Sequence, residues 1–234
     1  MKAAFKLPGT KNQLIPLIFE RLYGLKRHKL GIIQTFFKRV AASARFMLSR
    51  RSMKQGVFIE RDGVLILAKV ERQHQVSPLT LEDLKINENA IPLVHKLKAA
   101  GLLVIATTNQ PGISRGYQSR RELDRMHERV RKAFGLDDIM VCPHDETDRC
   151  PCRKPKPGLL VEAGYKWKLD LDRSFVISDK WQDAEAARIA GSTSLLLKSP
   201  WVGNVHRDFV MPDLETIVNK IIALHKARGA EAPA

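Results

Sequence analysis

Cysteine is scarce in this 234-residue chain, with only Cys142, Cys150 and Cys152. An odd count gathered in one short stretch argues against a disulfide framework and for a reducing compartment or a metal site. Aromatic residues make up 6%. They do not interleave regularly with basic residues, and no nucleic-acid-binding motif is present, so nucleic acid is not an expected partner. No apolar run approaches the roughly 18 residues of a membrane span. Glu20 and Arg21 interrupt the run that begins at Leu14, which argues against a secretory signal. Acid is nearly missing from the first 56 positions, where Glu20 stands alone against 13 Lys/Arg, or +12 of the net +15.

The charge therefore belongs to an extension and not to the main fold. The organisation expected is a basic amphipathic extension over 1–55, one domain over 56–228 and a flexible tail over 229–234. Within the extension Ile33, Phe36, Phe37, Val40, Ala41, Ala44, Met47 and Leu48 recur at helical spacing among Lys38, Arg39 and Arg45. Such a helix suits an anionic membrane surface, a packed position on the main domain, or an organellar presequence. The expected location is cytoplasmic, with a peripheral membrane position as the variant.

From Gly56 onward short apolar runs alternate with amphipathic segments. Strands are expected at 57–59, 102–106, 139–141, 175–177 and 194–197. Helices are expected within 80–100, from Ser119 toward Phe134, from Pro157 to Trp167, from Trp181 to Ala190, and after Pro212. Alternation of this kind predicts a three-layer α/β/α fold with a parallel sheet. Ligands of such sheets bind beyond the carboxyl ends of the strands. Glu60-Arg61-Asp62, Thr107-Thr108-Asn109 and Ser178-Asp179-Lys180 all fall there.

Cys142, His144, Cys150 and Cys152 supply a closed set of zinc donors in one loop, which leaves no position for substrate and makes the role structural. Glu60, Asp62 and Asp179 are hard oxygen donors that suit Mg²⁺. Thr108 and Asn109 can hydrogen-bond phosphate oxygens, and Arg153 and Lys154 can neutralise charge on a transferring phosphoryl group.

The segment Val57-Phe-Ile-Glu-Arg-Asp-Gly-Val64 resembles the first motif of the haloacid dehalogenase-like (HAD) phosphatases. Thr108-Asn-Gln-Pro-Gly-Ile-Ser-Arg-Gly-Tyr117 and Cys142-Pro-His through Cys150-Pro-Cys-Arg-Lys-Pro-Lys-Pro-Gly158 look like the zinc-containing D-glycero-D-manno-heptose 1,7-bisphosphate phosphatase family, close to the histidinol-phosphate phosphatases. The resemblance covers about residues 56–200. It implies a HAD-like fold with a zinc-bound loop and a small phosphorylated sugar as substrate. It places a nucleophile at Glu60 and a general acid/base at Asp62. It places phosphoryl-group contacts at Thr108 and Lys154, and substrate contacts at Asn109, Arg153 and Lys180. Mg²⁺ would be held by Glu60, Asp179 and the Asp62 carbonyl, and Zn²⁺ by Cys142, His144, Cys150 and Cys152. Asp183 falls on a further acidic position of the last motif.

Four departures accompany it. The family nucleophile is aspartate, and this chain has Glu60. Ile66 stands where a polar Asn is usual, Ser178 replaces the Gly before the Asp-Lys pair, and Lys69 to Ser77 do not look like the family's sugar-binding segment. Two readings stay open: a phosphomonoesterase with altered chemistry, and a catalytically silent relative that keeps the fold as a binding or scaffold module.

Overall fold

Strand β1 (Gly56–Glu60) is buried along its whole length. Its alternating side chains feed two separate cores: Val57 and Ile59 enter one, and Phe58 the other. This is what a strand covered on both faces requires. The structure is a computed structural model that describes residues 53–230. The expected amphipathic helix around residues 33–48 and the end of the tail lie outside the described residues.

A short exposed hairpin follows, with β2 (Lys69–Glu71) and β3 (His74–Val76) paired antiparallel. Then come α1 (Ile91–Ala99), β4 (Leu103–Asn109), α2 (Arg120–Phe134), β5 (Asp138–Cys142) and α3 (Gly158–Trp167). The chain continues with β6 (Phe175–Ser178), α4 (Trp181–Ala190), β7 (Thr193–Leu197), β8 (Phe209–Met211) and α5 (Leu214–Ala230). The main sheet has six strands in the order β5-β4-β1-β6-β7-β8. Every neighbouring pair in it is parallel. Helices α1, α2 and α5 send Val94, Met126 and Ile217 into one core. On the other face α3 and α4 contribute Leu159, Leu160, Ala186 and Ala187. These are the expected three layers.

The order in which strands are added reverses at β1, with β4 and β5 on one side and β6, β7 and β8 on the other. Such a switch point leaves a crevice at the carboxyl ends of those strands.

The sequence pattern needs correction in places. Helix within 80–100 is confined to a 3₁₀ turn at Glu88–Ala90 and to α1. Ser119 caps α2 by accepting from the Glu122 N–H at 3.1 Å. The Glu122 carboxylate does not complete a capping box but accepts from the Leu81 N–H at 2.7 Å. The hairpin and β8 carry too few buried apolar positions to announce themselves. Ile66, in place of a usual polar residue, is fully buried in the core beside Val64 and Leu65. Among the described residues no helix is long and apolar enough to cross a membrane.

Candidate active site

Glu60 ends β1, and its strand parity turns it toward the α3/α4 side, as Phe58 is turned. Its Oε1 accepts from the Asp62 N–H at 3.2 Å. Its Oε2 accepts from the Lys154 ammonium. The same ammonium donates to Asp183 Oδ1 at 2.7 Å. Glu60, Lys154 and Asp183 are all buried, and Asp183 Oδ2 has no partner among the described residues. Burial, with the Glu60 charge added, pushes the Asp183 carboxyl up to about 6. Burial opposes the charged form of Lys154, but Asp183 and Glu60 together hold it above the ordinary lysine range.

Asp62 sits in a network that motif reading did not foresee. The buried Arg61 donates to its two oxygens at 3.0 and 3.3 Å. Thr108 Oγ1 and Gln110 Nε2 each donate to Oδ2 at 3.0 Å. Burial alone would raise this carboxyl, but Arg61 and Lys180 beside it, with the hydrogen bonds, hold it below the usual carboxylate range. Arg61 also meets His127 Nε2 at 2.9 Å. Burial, reinforced by the Arg61 charge, drops His127 from 6.5 to about 3, so a neutral imidazole accepts from the guanidinium.

A depressed histidine makes stability depend on pH with a definite sign. Its contribution is complete above the unfolded value of 6.5 and is lost as pH falls toward the folded value of about 3. The Tm of the wild type should therefore fall between pH 6.5 and 4 more steeply than that of His127→Gln, which can still accept from Arg61. Parallel Tm curves for the two proteins would remove His127 as the acid-sensitive group.

Asp179 follows β6. Ser178, in place of the usual glycine, accepts from the Lys180 N–H at 3.1 Å and fixes the turn that carries Asp179. The Lys180 ammonium donates to the Asp62 carbonyl and, at 3.1 Å, to Asp179 Oδ1. It lies 3.9 Å from Glu60 Oε1. Glu60, the Asp62 carbonyl and Asp179 thus converge on one positive charge. They are hard oxygen donors around a stand-in cation, and they fit Mg²⁺. Gly63 at φ +95° makes the turn between them, and a Cβ there would meet Asp179 Oδ2 at 2.5 Å.

The expected substrate contacts divide. Asn109 brackets the Lys154 backbone, accepting from its N–H and donating to its carbonyl, both at 3.1 Å. Arg153 donates to the His144 carbonyl at 3.2 Å and to Glu146 at 3.3 Å. Both line a cleft of about 290 Å³ with Lys154. Lys180 instead lines a second cleft of about 400 Å³, beside the hairpin.

The end of β5 and the loop after it gather Cys142, His144, Cys150 and Cys152, whose ligand atoms lie within 4.8 Å of one another. Four of the edges measure 3.7, 3.6, 3.3 and 3.4 Å. Zinc about 2.3 Å from sulfur and about 2.0–2.1 Å from nitrogen sets tetrahedral edges of about 3.8 and 3.6 Å, so the donor set fits that ion. Burial pushes the Cys142 thiol up to about 12, a barrier that a bound cation overcomes by taking the proton's place. The loop packs tightly on α3, since a Cβ on Gly158 would meet the Pro151 carbonyl at 2.4 Å.

Of the residues singled out in the sequence, Glu60, Asp62, Thr108, Lys154, Asp179 and Lys180 meet at one centre. Arg61, Gln75, Gln110 and His127 were missed as members of it. Gln110 adjoins Thr108-Asn109 and was within reach of the motif. His127 shares the buried face of α2 with Leu123, Met126 and Val130, which marks it as buried but not as a partner of Arg61.

Residues 17–191 match the haloacid dehalogenase-like hydrolase family. D-glycero-beta-D-manno-heptose-1,7-bisphosphate 7-phosphatase of Pseudomonas aeruginosa is 34% identical over 148 residues, 61% of this chain and 80% of that one. The histidine biosynthesis bifunctional protein HisB of Campylobacter jejuni subsp. doylei is 35% identical over 144 residues, 59% of this chain and 40% of that longer protein. D,D-heptose 1,7-bisphosphate phosphatase from B. bronchiseptica, solved with magnesium and phosphate, superposes with a TM-score of 0.64 at 23% identity. That match covers 72% of this chain and 98% of the other, and the likeness is one of fold. By sequence and by fold, this chain belongs to the haloacid dehalogenase-like hydrolases.

Proposed function

We propose that the protein is a Mg²⁺-dependent phosphomonoesterase acting on a small phosphorylated sugar of the heptose bisphosphate type, with Glu60 in the nucleophile's place. The observation that carries this reading is the convergence of Glu60, Asp62, Thr108, Lys154 and Asp179 where β1, β4 and β6 end. A Glu60 oxygen attacks phosphorus, an acyl-phosphate forms, and the bond from phosphorus to the sugar oxygen breaks. The leaving oxygen takes a proton from Asp62. Asp62 then takes a proton from water, which attacks the phosphorus, frees inorganic phosphate and restores Glu60. Thr108 and Lys154 steady the phosphoryl oxygens. Glu60, Asp179 and the Asp62 carbonyl would hold Mg²⁺, which when bound neutralises charge on the transferring group. The experiment is phosphate release from heptose 1,7-bisphosphate and from an aryl phosphate, with and without Mg²⁺. Metal-dependent release supports the reading.

One observation favours a second reading, a silent binding module. The four hydrogen bonds to Asp62 keep it ionised, whereas a general acid must hold a proton. To act, Asp62 has to turn away from Arg61. Saturable phosphate binding without turnover would select this second reading.

Cys142, His144, Cys150 and Cys152 would hold a structural Zn²⁺ that shapes the wall carrying Arg153 and Lys154. Strong chelation should release about one zinc per chain and lower Tm by more than about 5 °C. Cys150→Ser should lose the metal before any chelator is added. A metal-free protein with unchanged Tm would end the structural-zinc reading. The extension over 1–55 would rest on an anionic membrane face, a reading supported by its +12 charge. Full-length protein should then pellet with anionic vesicles and not with zwitterionic ones.

A further inference from the structure

We infer that the cleft beside the hairpin holds the uncharged carbon skeleton of the substrate against the indole rings of Trp181 and Trp201. This inference rests on the phosphate-ester reading above and adds the residues that choose among esters. The cleft has a volume of about 400 Å³, and its lining includes His74, Gln75, Lys180, Trp181, Gln182 and Trp201. That is within the size range of small-molecule sites, and the mixture is theirs too: apolar surface with a few placed polar groups.

Trp181 and Gln182 also line the other cleft, where Asn109, Arg153 and Lys154 lie. Trp181 therefore stands between a cation-rich side and an indole-rich side. Arg149, Arg153, Lys154 and Lys156 belong to the first and outnumber its two acids, Asp145 and Glu146. In the second the one lysine, Lys180, is already committed to Asp179 and the Asp62 carbonyl. A phosphate is served by the first side. A ring or chain that offers C–H faces and hydroxyls is served by the second: the indoles cover the C–H faces, and the amides and the imidazole meet the hydroxyls.

The backbone that carries both tryptophans is fixed. Trp181 is the first residue of α4, two positions after Asp179, and is 37% exposed. Its backbone N–H donates to the Trp201 carbonyl at 3.0 Å. The Trp201 N–H donates to Ser199 Oγ at 3.1 Å, and that hydroxyl donates to the Asp179 carbonyl. Both tryptophans are thus tied to the backbone of a residue at the proposed reacting centre. On the hairpin side Gln75 donates to Asp179 Oδ2, while its buried Oε1 has no partner among the described residues.

The chain has three tryptophans, which makes the test direct. Trp167 lies elsewhere, with its indole N–H on Asp138 at the start of β5. In the full chain with Mg²⁺, sedoheptulose 7-phosphate should change tryptophan emission saturably, and should do so equally in Trp167→Phe. Calorimetry on Trp181→Leu and, separately, Trp201→Leu should show sedoheptulose 7-phosphate weakened by about tenfold or more, which is about 1.4 kcal/mol. Inorganic phosphate should bind Trp201→Leu, a change outside the cation-rich cleft, within about twofold of wild type. The separate Trp201 variant keeps the test alive if Trp181→Leu fails to fold. Sugar-phosphate affinity that stays within twofold in the folded variants, with phosphate still bound, overturns this inference alone. A wild type that binds neither sugar phosphate nor inorganic phosphate overturns the phosphate-ester reading, and this inference with it.

Discussion

Glu60→Gln should lower phosphate release by about a thousandfold or more, whereas Glu60→Asp should raise it by about ten- to a hundredfold. Glutamine keeps the side-chain length and can still accept from the Asp62 N–H, but an amide cannot form the acyl-phosphate. The gain expected from aspartate follows from β1. Its parallel pairing with β4 runs unbroken through Glu60 opposite Thr107, with no bulge to draw the backbone back. The extra methylene therefore carries the carboxylate forward, onto Lys154. A misplacement of about 1 Å can cost ~10² in rate, so a side chain one methylene shorter should recover that factor. Initial rates on an aryl phosphate at saturating Mg²⁺ measure both effects. Equal background release from the wild type and both variants would reassign the chain to ligand binding without turnover.

Lys154→Met should do the most damage to the fold. The ammonium sits between two buried carboxylates, Glu60 and Asp183. Its removal leaves uncompensated buried charge, at a cost of about 3–5 kcal/mol. Adding Asp183→Asn should restore part of that stability, because Asp183 is the more thoroughly buried of the two acids and is already pushed up to about 6. The double variant should stay inactive, since the ammonium that offsets the charge on the phosphoryl oxygens is gone. Urea unfolding of the two proteins at pH 7 gives the difference. A Lys154→Met protein as stable as wild type would show that the cluster does not depend on this cation.

Much of the fold was legible because it depends on local apolar pattern. Leu102–Ala106 and Phe175–Ile177 read as buried strands since both faces are covered, and Gly191 marks the end of α4 by its positive φ. The Cys/His loop was legible because its donors are close in sequence. The Asp62 network was not. Its members lie at β1's end, at β4's end and on α2: sheet register brings Arg61 and Thr108 together, and the packing of α2 on the sheet adds His127. The hairpin was invisible for the opposite reason: its residues are largely exposed, so no alternation is imposed on them. Lys180 was expected to contact substrate, and it lines the cleft beside the hairpin. That its ammonium lies among the carboxylates follows from the tight turn after Ser178, which composition does not reveal.

The position of Lys180 changes the bookkeeping of metal uptake. On the reading proposed above, a Mg²⁺ ion arriving between Glu60, Asp179 and the Asp62 carbonyl would meet a tethered monovalent cation already in place. Loading would then be an exchange, in which the incomer has to displace an occupant that never diffuses away. Apparent affinity would be lower than the donors alone would give, and the displaced side chain would be freed at the moment the pocket becomes competent.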